Sequence, residues 1–208
     1  MVALMVKSMT PEQTGKNYDT ITHLWSDDRF NMKNGIEQHQ RAIAFVKSRG
    51  KALDVGCGRT GRVMDLLASE GFTPEGLDIS EQMITLARSR NPERVFYHEN
   101  ICSYQLSEKY DFISAWDSIW HIPLDEQVNV ITKLVGALNE NGVLIFSFGG
   151  VNEPGDHTDD TMGPMMYYSS LGTNGFIQVL LNHGCTIKHL EFDQYPEFHT
   201  YMVVQKII

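Results

Sequence analysis

The sequence predicts an α/β fold: a doubly wound sheet of seven strands, mostly parallel, with an antiparallel strand near the C-terminus. Three observations predict it. Short apolar strands alternate with amphipathic helical stretches between residues 50 and 150, the rhythm of βαβ units. Residues 143–148 (VLIFSF) form an unbroken apolar run, which marks a strand covered on both faces. Two late strands, over 186–192 and 200–205, lie about eight residues apart, too close for a helical crossover, so they pair antiparallel.

The elements follow in order. Residues 10–49 read as helical, with Thr10 at the N-cap and Pro11 in the first turn, where its missing N–H costs nothing. Asn34-Gly35 interrupts the stretch. Ile36, Ile43, Ala44, Phe45 and Val46 then give an amphipathic helix that runs to Gly50. Residues 52–55 (ALDV) are the first strand and run into a glycine-rich turn, 56–61 (GCGRTG). Val63, Leu66, Leu67 and Ala68 continue as a helix that stops at Gly71. The second strand covers 73–79, and Ser80 caps the next helix, which carries Met83, Ile84, Leu86 and Ala87 as far as Asn91-Pro92. The third and fourth strands are 95–97 and 110–116. A helix from Pro123 to Leu138 and a turn over 139–142 lead into the apolar fifth strand. A polar connection rich in Gly, Pro and Met spans 149–170, a helix follows around 175–181, and the antiparallel pair completes the chain.

At about 150 residues per domain, 208 residues make one domain. It divides into a helical cap (1–49), a core (50–150), a lid-like insertion (149–170) and a C-terminal helix with a β-hairpin (171–208). Charge narrows the partners. There are 17 Lys plus Arg against 26 Asp plus Glu, a formal net charge of −9. Nucleic acid is not expected, because its binding rests on clustered cations that neutralise phosphates, and an anionic membrane surface is disfavoured for the same reason. No apolar run reaches the ~18 residues of a membrane span. Residues 1–7 are too short for a secretory signal, so the cytoplasm is the expected compartment. Cys57, Cys102 and Cys185 are an odd, widely spaced set that makes neither a disulfide framework nor a metal site. No metal is expected, and the assembly is read as a monomer or homodimer.

Chemistry concentrates at DVGCGRTG (54–61), between a strand and a helix. Glycines there let the backbone pass close to a ligand. The literal G-x-G-x-x-G match alone points to a dinucleotide. Asp54, two residues before the first glycine, points elsewhere: beside a pyrophosphate it repels, beside a cation it attracts. Asp78 ends the second strand, where a carboxylate accepts hydrogen bonds from both hydroxyls of a ribose. Together they suit a positively charged adenosine derivative.

With these residues in place the chain resembles the class I S-adenosylmethionine-dependent methyltransferases, of the small-molecule type. The matching stretches are LDVGCGRTGR (53–62), GLDIS (76–80), YDFISAWDSIWHIP (110–123) and LNENGVLIFSF (138–148). The resemblance implies a Rossmann-like fold with its antiparallel last strand inserted beside the fifth, S-adenosyl-L-methionine as cofactor, and methyl transfer to a small-molecule acceptor by in-line displacement. It implies that Asp54, Gly56 and Gly58 lie under the methionine part of the cofactor, with Cys57 a small residue filling the turn. Asp78 holds the ribose, Ile79 and Met83 pack near the adenine, Asn100 and Ile101 meet its edge, and Trp116 lies near the methyl. Asp117, Ser118 and His121 face the acceptor, with His121 and Asp117 the candidate catalytic pair, since a His near neutrality is the usual proton acceptor. Trp120, His157, Tyr167 and Tyr168 are the candidate acceptor contacts. Tyr18, Trp25 and Phe30 would form the opposite wall. Two other readings stand beside this one: a non-catalytic S-adenosylmethionine-binding module, and an NAD-linked oxidoreductase. The latter expects an apolar residue at position 54 and a separate catalytic domain.

Overall fold

The computed structural model describes residues 9–26 and 28–207; the opening segment 1–7, read above for a signal, lies outside them. Seven strands form one sheet in the order β3-β2-β1-β4-β5-β9-β8. They are β1 (Lys51–Val55), β2 (Thr73–Asp78), β3 (Val95–His98), β4 (Tyr110–Ala115), β5 (Leu138–Gly149), β8 (Cys185–Glu191) and β9 (His199–Lys206). The first five run parallel, and β9 lies antiparallel to both β5 and β8. The predicted class, strand count and inserted last strand all hold.

Side chains of β5 alternate between two buried faces, as a period of two requires. Leu144, Phe146 and Phe148 pack with Val130, Ile131 and Leu134 of α5 (Gln127–Ala137) and with Phe176 and Leu180 of α6 (Gly172–Asn182). Val143 and Ile145 pack with Ala42 and Ile43 of α2 (Ile36–Ile43) and with Val63 and Leu67 of α3 (Arg62–Ser69). Helices thus cover both faces, and full burial of each such side chain contributes about 1.5–3 kcal/mol. The remaining helices are α1 (Pro11–Thr20) and α4 (Glu81–Arg90). Thr10 and Gln13 form a capping box at α1, and the Ser80 hydroxyl accepts the Met83 N–H at α4, the cap chemistry expected of both.

Three elements differ from expectation. The stretch 10–49 is two helices joined by a 3-10 turn (Thr22–Trp25) and further turns, and α2 stops at Ile43, well short of Gly50. The Arg49 guanidinium reaches back to the Ile43 and Val46 carbonyls, satisfying groups that a longer helix would have used. The turn at 139–142 is absorbed into β5 as an irregularity: Tyr110 pairs with Leu138 but Phe112 with Val143, and Asn141 takes φ 62°. The connection 149–170 holds a separate hairpin, β6 (Gly155–Asp159) and β7 (Met166–Ser170). Its outer strand, GDHTD, is polar on both faces and so carries no periodic signal. Among the described residues no helix is long and apolar enough to cross a membrane.

The strand order fixes where a ligand can sit. From β1 the chain winds outward through β2 to β3, then returns to β4 on the other side of β1. At such a reversal the connections leave the strand tips in opposite directions and open a crevice.

Candidate functional site

A cavity of about 310 Å³ occupies that crevice. Its floor is the tips of β1 and β4, with Gly56, Cys57 and Gly58 on one side and Trp116, Asp117 and Ser118 on the other. The two tips touch. A Cβ on Gly56 would stand 2.2 Å from the Ser118 Cβ, and Gly56 has φ +74°, so this position admits only glycine. The Ser118 hydroxyl donates to the Val55 carbonyl at 2.8 Å, which ties the tips together.

Asp78 lines the cavity at the tip of β2. One carboxylate oxygen accepts the Gly58 N–H at 2.8 Å and the other the Ser80 N–H at 2.9 Å. Burial pushes its pKa up, while the N–H groups of Ser80, Gly58 and Ile79 pull it down. Each oxygen keeps a further lone pair for an incoming hydroxyl. Ile79, Met83, Asn100 and Ile101 line the same end. The Asn100 carbonyl oxygen accepts the Cys102 N–H at 2.9 Å, and its amide donates to Glu12 at 2.8 Å. Cys57 is buried on the wall, and burial followed by the charges of Asp78 and Asp54 pushes its thiol well above the usual range, so it stays protonated and unreactive.

Asp54 lies behind the wall rather than on it. It is 5% exposed and absent from the cavity lining, one layer beneath the wall. Burial pushes its pKa up to about 6 against the pull of the Arg62 charge and a Ser114 hydroxyl. Arg62 does line the cavity. Its guanidinium donates to the Asn34 carbonyl and to Thr60 Oγ1, both at 3.0 Å, and lies over the Phe30 ring. Ser114 also touches His39 Nε2 at 2.9 Å, and burial brings His39 down to about 4.

The roof is α1 with the turns after it: Pro11, Thr14, Tyr18, Trp25 and Phe30. Gly15 of α1 packs flat on Ile79, leaving no room for a Cβ (2.9 Å to the carbonyl oxygen). Side chains of α1 hold the roof down. Asp19 accepts from the Ser80 hydroxyl at 2.6 Å and the Gln82 N–H at 3.0 Å. Asn17 donates to the Met165 carbonyl at 2.7 Å. Tyr18 Oη lies 2.7 Å from His121 Nε2.

His121 is buried on the lining. Its Nδ1 lies 2.8 Å from the Tyr167 carbonyl, which can only accept, so Nδ1 carries the proton and Nε2 accepts from Tyr18. Burial brings His121 down to about 4, and it is neutral at pH 7. Burial raises the Tyr18 phenol well above its usual range.

Asp117 stands next to this pair with φ 52°, an uncommon conformation for a residue with a side chain. One carboxylate oxygen lies 3.0 Å from His199 Nε2 and accepts from Ser147 at 3.2 Å. The other accepts from Asn34 at 2.9 Å. Burial works to raise its pKa, but the His199 bond and charge and the Asn34 bond win and hold it below the carboxylate range. His199 is gripped on its far side by Asp193, 2.5 Å from Nδ1. Burial alone would lower the imidazole, yet the two carboxylates raise it.

Of the expected acceptor contacts, Trp120 and Tyr168 line the cavity. Two do not. Tyr167 is buried behind it, giving its carbonyl to His121 and its hydroxyl to Asp156 at 2.8 Å. His157 lies outside, stacked on Tyr168. Arg62, His39, Asp193 and His199 have no role in the sequence reading. His199 has no motif around it, and only the antiparallel insertion of β9 beside β5 brings it to Asp117.

Comparison with known proteins completes the description. A family model described as "Methyltransferase domain" matches residues 29–170. The chain is 37% identical over 71 residues to dTDP-3-amino-3,6-dideoxy-alpha-D-glucopyranose N,N-dimethyltransferase of Streptomyces fradiae, covering 34% of this chain and 28% of that protein. It is 24% identical over 144 residues to a ubiquinone biosynthesis O-methyltransferase of Hydrogenovibrio crunogenus, covering 63% and 58%. The chain thus spans less than two thirds of these curated relatives. Among solved structures, magnesium protoporphyrin IX methyltransferase of Synechocystis with bound SAM superposes with TM-score 0.70 at 17% identity, covering 96% of this chain and 99% of that one.

Proposed function

The chain belongs to the methyltransferase-domain family, and from that premise we propose that it transfers a methyl group from S-adenosylmethionine to a small-molecule acceptor. The observation that carries the reading is the Tyr18–His121 bond, a neutral proton relay at the lining of a cavity whose other end holds Asp78.

The residues fit this cofactor. Asp78 has lone pairs left for two ribose hydroxyls, and Ile79, Met83 and Ile101 give apolar surface for an adenine. The aromatic faces of Tyr18, Trp25, Phe30 and Trp116 line the rest, and such faces attract a cation. The buried indole N–H of Trp116 has no acceptor among the described residues and packs against Gly35.

Bound there, S-adenosylmethionine would supply an electrophilic methyl group, its sulfur keeping the electron pair of the bond to that methyl, and the acceptor that takes the methyl would give up a proton. Tyr18 Oη takes that proton as it passes its own to His121 Nε2. The phenol never ionises, in keeping with its raised pKa. His121 ends as imidazolium, so a positive charge appears on the protein as the sulfonium charge is lost, and the pocket keeps its net charge. The Tyr167 carbonyl holds the imidazole in the tautomer that accepts at Nε2. Asp117, depressed and fully bonded, is a poor base. It positions the β4 tip instead.

A small acceptor agrees with the net charge of −9 and with an N-methylating and an O-methylating enzyme among the relatives. The β6–β7 hairpin forms one side of its site. Two measurements test the proposal: calorimetry with S-adenosylmethionine, and methyl transfer from labelled cofactor into a metabolite extract. Tyr18→Phe should lower kcat by about 10²-fold, the low end of general acid–base effects, and leave S-adenosylhomocysteine affinity unchanged. Absence of binding to the cofactor, with tight binding of a nicotinamide nucleotide instead, would refute it.

A further inference from the structure

Beside the first cavity lies a second, of about 300 Å³, and Trp120 and Tyr168 line both. It opens between the β6–β7 hairpin, the end of β5 and Phe198 of the β8–β9 connection. We propose that this compartment recognises the methyl acceptor, and that it takes a small molecule carrying a protonated amine. The proposal rests on the methyl-transfer reading only for the word acceptor; the ligand chemistry stands on the compartment itself.

The walls are aromatic. Tyr168 stands between two imidazoles, with His121 at 4.7 Å between ring centroids and His157 stacked at 5.1 Å with planes 13° apart. Trp120 meets His121 and His199 edge-on. The Trp120 indole N–H is shielded from solvent and has no acceptor among the described residues, so this shared wall is incomplete without a further group.

The polar groups decide the ligand's charge. Two acids, Glu153 and Asp156, and one imidazole, His157, line the compartment, and no Lys or Arg does. The two serine hydroxyls there already donate elsewhere: Ser169 to the Ile122 carbonyl at 2.7 Å and Ser170 to the Gly149 carbonyl at 2.6 Å. Asp156 accepts the Tyr167 hydroxyl with Oδ2, which leaves Oδ1. What the compartment still offers in charge is the carboxylate oxygens of Glu153 and Asp156; the Trp120 indole N–H and the His157 imidazole beside them would meet an acceptor elsewhere on the same ligand. An ammonium has three donors and no acceptor, and aromatic faces add to its attraction. A carboxylate or phosphate would meet like charge, and Arg62 cannot rescue it, because its guanidinium is held by Asn34, Thr60 and Phe30.

The test uses three probes with one aromatic body: phenethylamine, 2-phenylethanol and 3-phenylpropionate. Each is titrated by ligand-observed NMR into the full chain, with and without S-adenosylhomocysteine. Phenethylamine should bind at least tenfold tighter than the other two, and more weakly as salt rises. In the double variant Glu153→Gln/Asp156→Asn, whose amides keep an oxygen for Tyr167, that preference should fall to within twofold. Equal binding of the alcohol or the acid, a preference that survives in the variant, or no saturable binding of any probe overturns the proposal. Calorimetry with S-adenosylhomocysteine on the same samples separates the two readings. If the wild type fails to bind it, the methyl-transfer reading falls, while the ranking of the three probes still decides the compartment's ligand.

Discussion

Replacing Asp78 by Asn is a near-isosteric change that isolates the carboxylate. Both of its oxygens accept backbone N–H groups, from Gly58 at 2.8 Å and from Ser80 at 2.9 Å. An amide has one oxygen and one NH2, so in either flip its NH2 faces an N–H and one of these bonds is lost. Stability does not fall by the whole of that loss, because burial already disfavours the charged form of Asp78 and the neutral amide is relieved of that cost. Binding has no such compensation. A hydroxyl hydrogen-bonded to a charged acceptor is stabilised by about 1.5–3 kcal/mol, and at 1.4 kcal/mol per factor of ten the variant should bind S-adenosylhomocysteine roughly 10- to 150-fold more weakly. Calorimetry measures the affinity directly, and thermal unfolding of the unliganded protein reports the folding change separately. An affinity within threefold of wild type, in a variant that unfolds normally, would refute the assignment of Asp78 to the ribose.

Two further predictions follow from the site. Gly56→Ala should abolish cofactor binding, because its Cβ would meet Ser118 at 2.2 Å and an L-residue in the left-handed region costs about 1–2 kcal/mol besides; adding Ser118→Gly should recover part of the lost melting temperature, and a double variant no better than the single would contradict the contact. His199→Gln should destabilise the protein most at mildly acidic pH. The folded pKa of His199 is raised, so its contribution is fully present below about pH 6.5 and fades as pH rises through the raised value. That of Asp117 is lowered, so its contribution is present above about pH 4 and fades as pH falls through the lowered value. The difference in melting temperature between wild type and variant should therefore peak between about pH 4 and 6.5 and shrink towards pH 9, and a constant difference across that range would dismiss the charge pairing.

Much of this was legible in the residues, for identifiable reasons. The parallel core declares itself because strands buried on both faces have to be continuously apolar, as 143–146 are. The proposed cofactor end declares itself because a close backbone approach calls for glycine and a ribose for an acid, and both residue types fall at strand tips. What stayed hidden depends on contacts between distant segments. Nothing near Tyr18 announces a partner at His121, and nothing near His199 announces Asp117. The depth of Asp54 is hidden too, since a strand-end acid reads alike whether it faces the ligand or lies one layer behind it. The β6–β7 hairpin escaped because its solvent-facing strand has no apolar half to alternate.

The position of β9 bears on how the molecule comes together. It lies inside the sheet between β5 and β8, yet it leaves the ribosome after the other six strands of that sheet. Until then β5 is an open edge, with backbone groups ready to pair with another chain, and Asp117 lacks the imidazole that holds it. Such sequence-distant pairing slows folding. The parallel half of the sheet can assemble during synthesis, but the Asp117 end of the pocket is completed only when residues 199–206 slot into place, so a ribosome stalled short of them would leave a nascent chain with its apolar interior exposed.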